Sequence, residues 1–253
     1  MNDKLKHAVE SIFRITGFEI VRAYDTVTYF HQNQYLQHNS RRLEHLASLR
    51  VPVVGMSVLE VGAGVGDHSH YYLDRGCRIT ITDARPDNIE YLKIRYPQHD
   101  IQFLDLAHPT PIKNSPFGLV YCYGLLYHLP NPAEALEYLS GCCTSMLFLE
   151  TCVSFGVKKE INIVTEDIKN PTQAFAGKGC RPTRIWLFDK LKELFEYVYV
   201  PVTQPNHEEF PIDWTAPEKH HHNLSRAIFI ASRRKIDNSI LVPSLIDLQV
   251  RHE

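Results

Sequence analysis

The chain has 253 residues, of which 44% are hydrophobic, and this length suits one large α/β domain with additions. Its formal net charge of −2 comes from intermixed acids and bases, so it has no basic block suited to a nucleic-acid backbone. It contains no run of about 18 apolar residues and no signal-peptide core, and its six cysteines form no Cys-x-x-Cys pair. We therefore expect a cytoplasmic protein with free thiols, without a membrane span and without nucleic acid as a partner.

Residues 1–50 carry apolar residues three and four positions apart, which predicts a helical cap that precedes the sheet. The middle of this cap is both aromatic and polar, and includes Tyr24, Tyr29 and His31. These side chains either pack the cap onto the main domain or cover a substrate pocket. Both interpretations stay open at this point.

The first predicted strand, residues 57–61, ends in Gly62, Gly64 and Gly66. Alternating glycines after a strand bring backbone N–H groups close to a ligand. The spacing Gly-x-Gly-x-Gly, with Glu60 two residues earlier, differs from the Gly-x-Gly-x-x-Gly fingerprint of dinucleotide-binding proteins. Asp67, directly after the loop, would repel a phosphate but tolerate a cationic ligand.

A second strand, residues 77–82, leads to Asp83, which lies 23 residues after Glu60, the interval of a βαβ unit. A carboxylate at this place could accept hydrogen bonds from both hydroxyls of a ribose. Alternatively, Asp83 caps the helix predicted over residues 86–93. A third strand, residues 100–104, runs into Asp105, which is either a binding residue or a turn residue.

These motifs resemble those of class I S-adenosylmethionine (SAM)-dependent methyltransferases over roughly residues 45–233. The resemblance implies an α/β fold with a doubly wound, Rossmann-like sheet of seven strands, the last one antiparallel. It implies SAM as the cofactor, S-adenosylhomocysteine (SAH) as its product, and adenine as the partner of Asp105. Arg41 or Arg42 could reach the cofactor's carboxylate, although a surface position is equally compatible with the sequence. The cofactor-binding residues expected from the resemblance are Glu60, Gly62, Ala63, Gly64, Gly66, Asp83, Ala84, Asp105, Leu106 and Tyr123.

The fourth strand, residues 117–123, is followed by Tyr127, His128 and the turn at residues 130–132. In a parallel sheet, this end of the strand opens beside the first strand, where ligands bind. The segment resembles that of many small-molecule methyltransferases, and also that of a carboxymethyl-transferring tRNA-wobble enzyme family. We predict Tyr127 and His128 as catalytic residues, with a structural histidine as the alternative.

The sheet domain is predicted over residues 51–235, with strands at 145–153, 195–202 and 227–232, a helix at 183–194, and a C-terminal tail at 236–253. It contains two insertions. Residues 154–182 are too long and polar for a simple connection and suit a lid or an acceptor-binding loop. Residues 203–226 include the triplet His220–His222. Imidazoles can bind a metal, but three adjacent histidines cannot easily aim at one ion, so we predict an exposed loop and no metal.

The expected activity is methyl transfer to a hydroxyl or amine of a small-molecule, natural-product or glycan acceptor. Neither an acidic metal triad nor an Asn-Pro-Pro-Tyr motif is present, which disfavours catechol-type, DNA-adenine and protein-glutamine methylation. Two alternatives are a tRNA wobble-uridine-type modifying enzyme and a non-catalytic SAM-binding protein. The acceptor's identity and the oligomeric state do not follow from the sequence. The expected substrate-binding residues are Tyr24, Tyr29, His31, Arg181 and Trp214.

Overall fold

The structure is a computed structural model that describes residues 26–168, 172–174 and 177–252. The predicted helices of residues 1–25, together with Tyr24, lie outside the described residues. The described helices are α1 (Thr26–Phe30), α2 (Asn33–Ser48), α3 (Ser69–Leu73), α4 (Pro86–Arg95), α5 (Pro132–Gly141) and α6 (Arg184–Leu194). The described strands are β1 (Ser57–Val61), β2 (Arg78–Asp83), β3 (Asp100–Phe103), β4 (Phe117–Tyr123), β5 (Cys143–Cys152), β6 (Ile161–Thr165), β7 (Lys178–Pro182), β8 (Tyr197–Pro201), β9 (Thr203–Gln204), β10 (Arg226–Ser232), β11 (Leu241–Val242) and β12 (Val250–Arg251).

The main sheet has the strand order β11-β8-β10-β5-β4-β1-β2-β3. Strands β1 to β5 run parallel to one another, whereas β10 is antiparallel to both β5 and β8. The predicted doubly wound sheet with an antiparallel last strand is therefore confirmed. The order reverses at β1 and β4, and this is the place where a doubly wound sheet opens a crevice for ligands.

Two hydrophobic cores cover the two faces of the sheet. Leu136 of α5 and Leu187 of α6 belong to the core on one face. Leu46 of α2, Tyr72 of α3 and Leu92 of α4 belong to the core on the other face. The central strands are buried almost throughout, which explains why they read as continuous apolar runs rather than alternating ones.

The insertion over residues 154–182 differs from the predicted loop. Its strands β6 and β7 form an antiparallel pair, with Ile161 opposite Pro182 and Thr165 opposite Lys178. The polar composition hid this hairpin because its outer side chains face water. The hairpin lies against the turn that carries His128, since the Arg181 Nη1 donates to the Tyr127 carbonyl oxygen at 3.1 Å.

The tail after residue 235 is ordered onto the sheet. Strand β11 pairs with β8 and adds an eighth strand to the seven predicted, and β12 pairs with β9. All six cysteines are buried free thiols. In the described part of the chain, no helix combines the length and the apolar character needed to cross a bilayer.

Candidate functional site

A cavity of about 1140 Å³, including its open mouth, lies at the carboxyl ends of the parallel strands. Its wall comes from the loops after β1, β2, β3 and β4, from α1 and α2, and from Thr172, Gln173 and Arg226. Of the predicted cofactor-binding residues, the wall contains Glu60, Gly62, Ala63, Gly64, Asp83, Ala84, Asp105, Leu106 and Tyr123.

The glycine-rich loop brings its backbone close to the cavity. Gly64 has a φ of +58°, and a Cβ atom there would lie 3.1 Å from the ring of Phe30. Gly66 has a φ of +80°, but a Cβ atom there would meet Tyr96 and Leu92 of the α4 region, and Gly66 is not part of the cavity wall. Gly64 thus leaves space at the cavity, whereas Gly66 allows the loop to pack against α4.

Asp83 is held rigidly at the end of β2. Its Oδ2 accepts from the Gly64 N–H at 2.8 Å, and its Oδ1 accepts from the Arg85 N–H at 2.8 Å and from Asn88 Nδ2 at 3.0 Å. A carboxylate has about four acceptor positions, so the three recorded bonds leave capacity for a ligand hydroxyl. Burial raises the pKa of Asp83, and these hydrogen bonds partly oppose the rise.

Glu60 is a buried acid on the same wall. Its Oε2 accepts from the Ser69 hydroxyl at 2.5 Å. Burial raises its pKa to about 7, and the neighbouring carboxylates of Asp67 and Asp83 act in the same direction. A cationic ligand would reverse this effect by stabilising the ionised carboxylate.

His128 and Tyr127 lie on a short 3₁₀ turn, Leu126–His128, and both line the cavity. The His128 Nδ1 is 2.5 Å from Oε2 of Glu166. Burial lowers the pKa of His128, although the contact with Glu166 partly opposes the shift, so the imidazole is neutral at neutral pH. A neutral histidine on a cavity wall can accept a proton from a bound molecule.

Tyr127 has a different environment. Its hydroxyl accepts a hydrogen bond from the Arg226 Nη2 at 3.1 Å. Burial raises its pKa well above the usual range, so the hydroxyl stays protonated at neutral pH. Tyr127 can therefore position or donate to a ligand, but it is unsuited to act as a base.

The cavity wall also includes two arginines that belong to a network of buried charges, which sequence reasoning missed. Glu150, at the end of β5, pairs with Arg42 of α2 and, at 3.0 Å, with Arg226 of β10. Arg226 also pairs with Glu209. Glu150 and Arg226 share a sheet face because Arg226 is opposite Cys152 in the β5–β10 register, two residues from Glu150. The sequence signal that could have indicated this network is a charged residue at the end of an otherwise apolar strand, as Glu150 and Arg226 are.

Of the two arginines considered for the cofactor's carboxylate, Arg42 lines the cavity and Arg41 lies on the surface paired with Glu44. Burial opposes the charge of Arg42, but Glu150 keeps its pKa raised, so Arg42 is ionised. Its Nε has no hydrogen-bond partner among the described residues.

The predicted substrate-binding residues are spread over the fold. Tyr29 contacts the ring of Tyr35, and the His31 Nε2 is 3.3 Å from an oxygen of Asp67, which lines the cavity. Trp214 donates from Nε1 to Gln249 and stacks on Arg184. As far as the described residues go, the main cavity wall does not include Tyr29, His31, Arg181 or Trp214. Tyr35, His38, Asn39, Thr172, Gln173 and Arg226 line it instead.

Histidines and acids approach one another at one further point. Ligand atoms of His38, His207 and Glu209 lie within 4.8 Å of one another. Arg226 already neutralises Glu209, and the positive charges of Arg42 and Arg226 act on His38. The electrostatic potential between these three side chains is therefore unfavourable for a cation. In the triplet predicted as a loop, the His220 Nε2 is 2.8 Å from the Leu224 carbonyl oxygen and the His222 Nε2 is 3.4 Å from Glu208, so the two rings have different polar partners.

The chain is similar to several known proteins. Residues 59–145 match the family model described as "Methyltransferase domain". The chain is 31% identical over 106 residues to the ubiquinone biosynthesis O-methyltransferase of Xylella fastidiosa, covering 39% of this chain and 42% of that protein. It is 29% identical over 156 residues to the tRNA U34 carboxymethyltransferase of Vibrio campbellii, covering 58% of this chain and 46% of that protein. The chain therefore spans less than half the length of either relative.

Among solved structures, the fold is similar to magnesium protoporphyrin IX methyltransferase from Synechocystis with bound SAH. The TM-score is 0.55 at 13% identity, with 90% of this chain and 100% of that chain covered. The strand order and the glycine-rich loop at the reversal point of the sheet are thus similar to those of the class I methyltransferase fold, and residues 59–145 match a methyltransferase domain.

Proposed function

We propose that this protein is a SAM-dependent methyltransferase that acts on a hydroxyl group of a small molecule. The observation that carries the proposal is the position of His128. Its neutral imidazole lies on the same cavity wall as Gly64 and Asp83. A single cavity thus offers both a cofactor site and a base.

The residues present fit SAM. Asp83 has capacity for a ribose hydroxyl, Glu60 suits a cationic group, and the ionised Arg42 on the same wall suits the methionyl carboxylate. Asp105 and Leu106 would meet the adenine at the far end of the cavity. When bound, SAM supplies an activated methyl group whose C–S bond breaks as the acceptor oxygen forms its new C–O bond, and SAH is released.

The protein's own contribution is positioning and removal of one proton. His128 takes the hydroxyl proton of the acceptor, and general-base help of this kind is typically worth about 10²–10⁴-fold in rate. The fixed and protonated Tyr127 orients the acceptor. This arrangement favours a hydroxyl acceptor over an amine, because a neutral amine is nucleophilic enough to attack without help from a base, whereas a hydroxyl gains from losing its proton.

The acceptor half of the cavity supports a compact cyclic molecule. Phe30 and Tyr35 provide apolar ring surface, and His38 provides a polar side chain. The similarity to an O-methyltransferase of ubiquinone biosynthesis agrees with a hydroxyl acceptor. We further propose that residues 51–235 form the catalytic domain and that the helices before them cover the acceptor. Tyr29, His31, Arg181 and Trp214 stay predictions as substrate-binding residues.

Calorimetry with SAM and SAH, followed by a screen for SAH release, tests this function. The screen should use phenols, sugars and primary amines as separate panels, with wild type and His128→Ala. We expect binding of both cofactor forms, weakened by Asp83→Ala by about 1–3 kcal/mol, and turnover with a hydroxyl panel. Turnover should fall about 10²-fold in His128→Ala at unchanged SAM affinity.

The alternatives are built into the same screen. A tRNA-dependent transfer of a carboxymethyl group, with no small-molecule turnover, would favour the activity named for the Vibrio relative. Cofactor binding without any turnover would favour a non-catalytic SAM-binding protein. Failure to bind SAM and SAH would reject the proposal altogether.

A further inference from the structure

Glu166 stands directly after strand β6 in the insertion hairpin, 38 residues from His128. Its side chain is only 5% exposed, although it belongs to a hairpin whose outer side chains face water. One oxygen, Oε2, is 2.5 Å from the His128 Nδ1. A carboxylate that is buried against an imidazole in this way needs a physical explanation, because its desolvation is costly.

Glu166 is itself fixed from two further directions. Its Oε2 also accepts from the Ala174 N–H at 2.7 Å, and its Oε1 accepts from the Arg181 Nη2 at 3.2 Å. Three donors therefore converge on one carboxylate. Burial opposes its charge, but the contacts with His128, Ala174 and Arg181 keep its pKa below the usual range, so Glu166 is ionised at neutral pH.

An ionised carboxylate can only accept hydrogen bonds. The neutral His128 must then carry its proton on Nδ1 in order to donate to Glu166. The lone pair is left on Nε2, on the opposite side of the ring. Glu166 is not part of the cavity wall whereas His128 is, so Nε2 is the nitrogen that remains for a bound molecule.

We propose that Glu166 is a positioning residue that holds His128 in the Nδ1–H form and so makes Nε2 the base of the site. This deepens the proposed function and rests on it for its catalytic meaning. The proton of the acceptor hydroxyl moves to Nε2, and the resulting imidazolium is stabilised by the negative charge of Glu166. The Nδ1 proton stays where it is, so charge and protons balance without a further co-reactant.

The position of Glu166 also ties the base to the cofactor end of the cavity. Gln173, next to Ala174, accepts from the Arg85 Nη2 at 2.8 Å, and Arg85 lies two residues after Asp83. Gln173 itself lines the cavity. The backbone that anchors Glu166 is thus in contact with the segment predicted to bind the ribose.

The decisive experiment needs no acceptor. The imidazole of His128 is followed by ¹H–¹⁵N NMR in the full chain saturated with SAH, and its signal is assigned by its loss in His128→Ala. Wild type should show the Nδ1–H tautomer. Glu166→Gln keeps the shape but removes the charge, and it should lower the pKa of His128 by about one unit or more, as expected for loss of an opposite charge in contact.

Glu160→Gln is the matched control, because Glu160 is an exposed acid at the start of the same hairpin. It should leave the tautomer and the pKa unchanged. Should Glu166→Gln fail to fold, Glu166→Asp keeps the charge at a longer distance and should lower the pKa by a smaller amount. An Nε2–H tautomer in wild type, or a pKa that is the same in Glu166→Gln as in wild type, would overturn the proposal.

Failure of the proposed function would look different. In that case, the NMR result would stand while no panel of acceptors turns over. If the acceptor is found, Glu166→Gln should lower kcat about tenfold or more and shift the acid limb of its pH profile to lower pH. A purely structural role would lower the melting temperature, with activity in proportion to the folded protein.

Discussion

The substitution Glu60→Gln tests the electrostatics of the proposed cofactor site. Glu60 is 2% exposed, and burial raises its pKa from 4.5 to about 7. An acid whose pKa is higher in the folded state binds its proton more tightly there than in the unfolded chain. Between about pH 4.5 and 7, stability is therefore lost as the pH rises. The difference of about 2.5 units corresponds to a cost of up to about 3 kcal/mol above pH 7.

Glutamine has the same shape and no charge. Without ligand, Glu60→Gln should therefore raise the free energy of unfolding by up to about 3 kcal/mol at pH 8 and change it little at pH 4.5. Urea unfolding at pH 4.5, 6 and 8 measures this difference. Glu44→Gln serves as the control, because Glu44 has a half-exposed side chain in a surface pair with Arg41, and such pairs contribute about 0–1 kcal/mol.

Without ligand, the folded protein favours the protonated form of Glu60, whereas SAM binding should favour the ionised form. SAM is cationic at its sulfonium, so it should favour the ionised Glu60 and release a proton when it binds near pH 7. Calorimetry in two buffers of different ionisation enthalpy measures this proton release. Equal unfolding free energies of wild type and Glu60→Gln at every pH, together with no proton release, would refute the reasoning.

Three further predictions concern the loop, the buried charges and a helix cap. Gly64→Val should abolish detectable SAH binding in calorimetry, because φ is +58° and the Phe30 ring is 3.1 Å from the added Cβ; near-normal affinity would contradict this. Glu150→Gln should lower the free energy of unfolding by about 3–5 kcal/mol, since it leaves two buried arginines with one fewer partner. Urea unfolding of Glu150→Gln and of the surface control Glu137→Gln checks this, and an equal loss of unfolding free energy in the two variants would disprove it. Thr183→Ala removes the oxygen that accepts from the Trp186 N–H and should cost about 1–2 kcal/mol, whereas Thr183→Ser should be near neutral; the melting temperatures of the two variants decide.

The fold could be predicted from the sequence because its signals are local. The apolar runs of β1, β4 and β5 identify buried parallel strands, and the glycines after β1 require a conformation that other residues rarely adopt. The interval from Glu60 to Asp83 reflects the fixed length of a βαβ unit. Each of these features depends on neighbouring residues alone.

The hairpin and the eighth strand were harder to predict. Strands β6 and β7 are short and polar, so their alternation is weak, and β11 has two residues only. Their pairing depends on partners elsewhere in the chain. Only the tertiary structure decides such pairings, because a short edge strand gains little stability from its own sequence.

The amino-acid sequence by itself determined which acids, glycines and histidines meet at the open end of the sheet, because strand ends converge there in any doubly wound fold. The tertiary structure alone decided their partners. Arg42 and Glu150 are 108 residues apart, and Arg226 and Glu150 are 76 apart. His128 finds Glu166 only because the hairpin folds back onto its turn. The charge states of the site follow from these long-range contacts and from burial, which a local pattern does not contain.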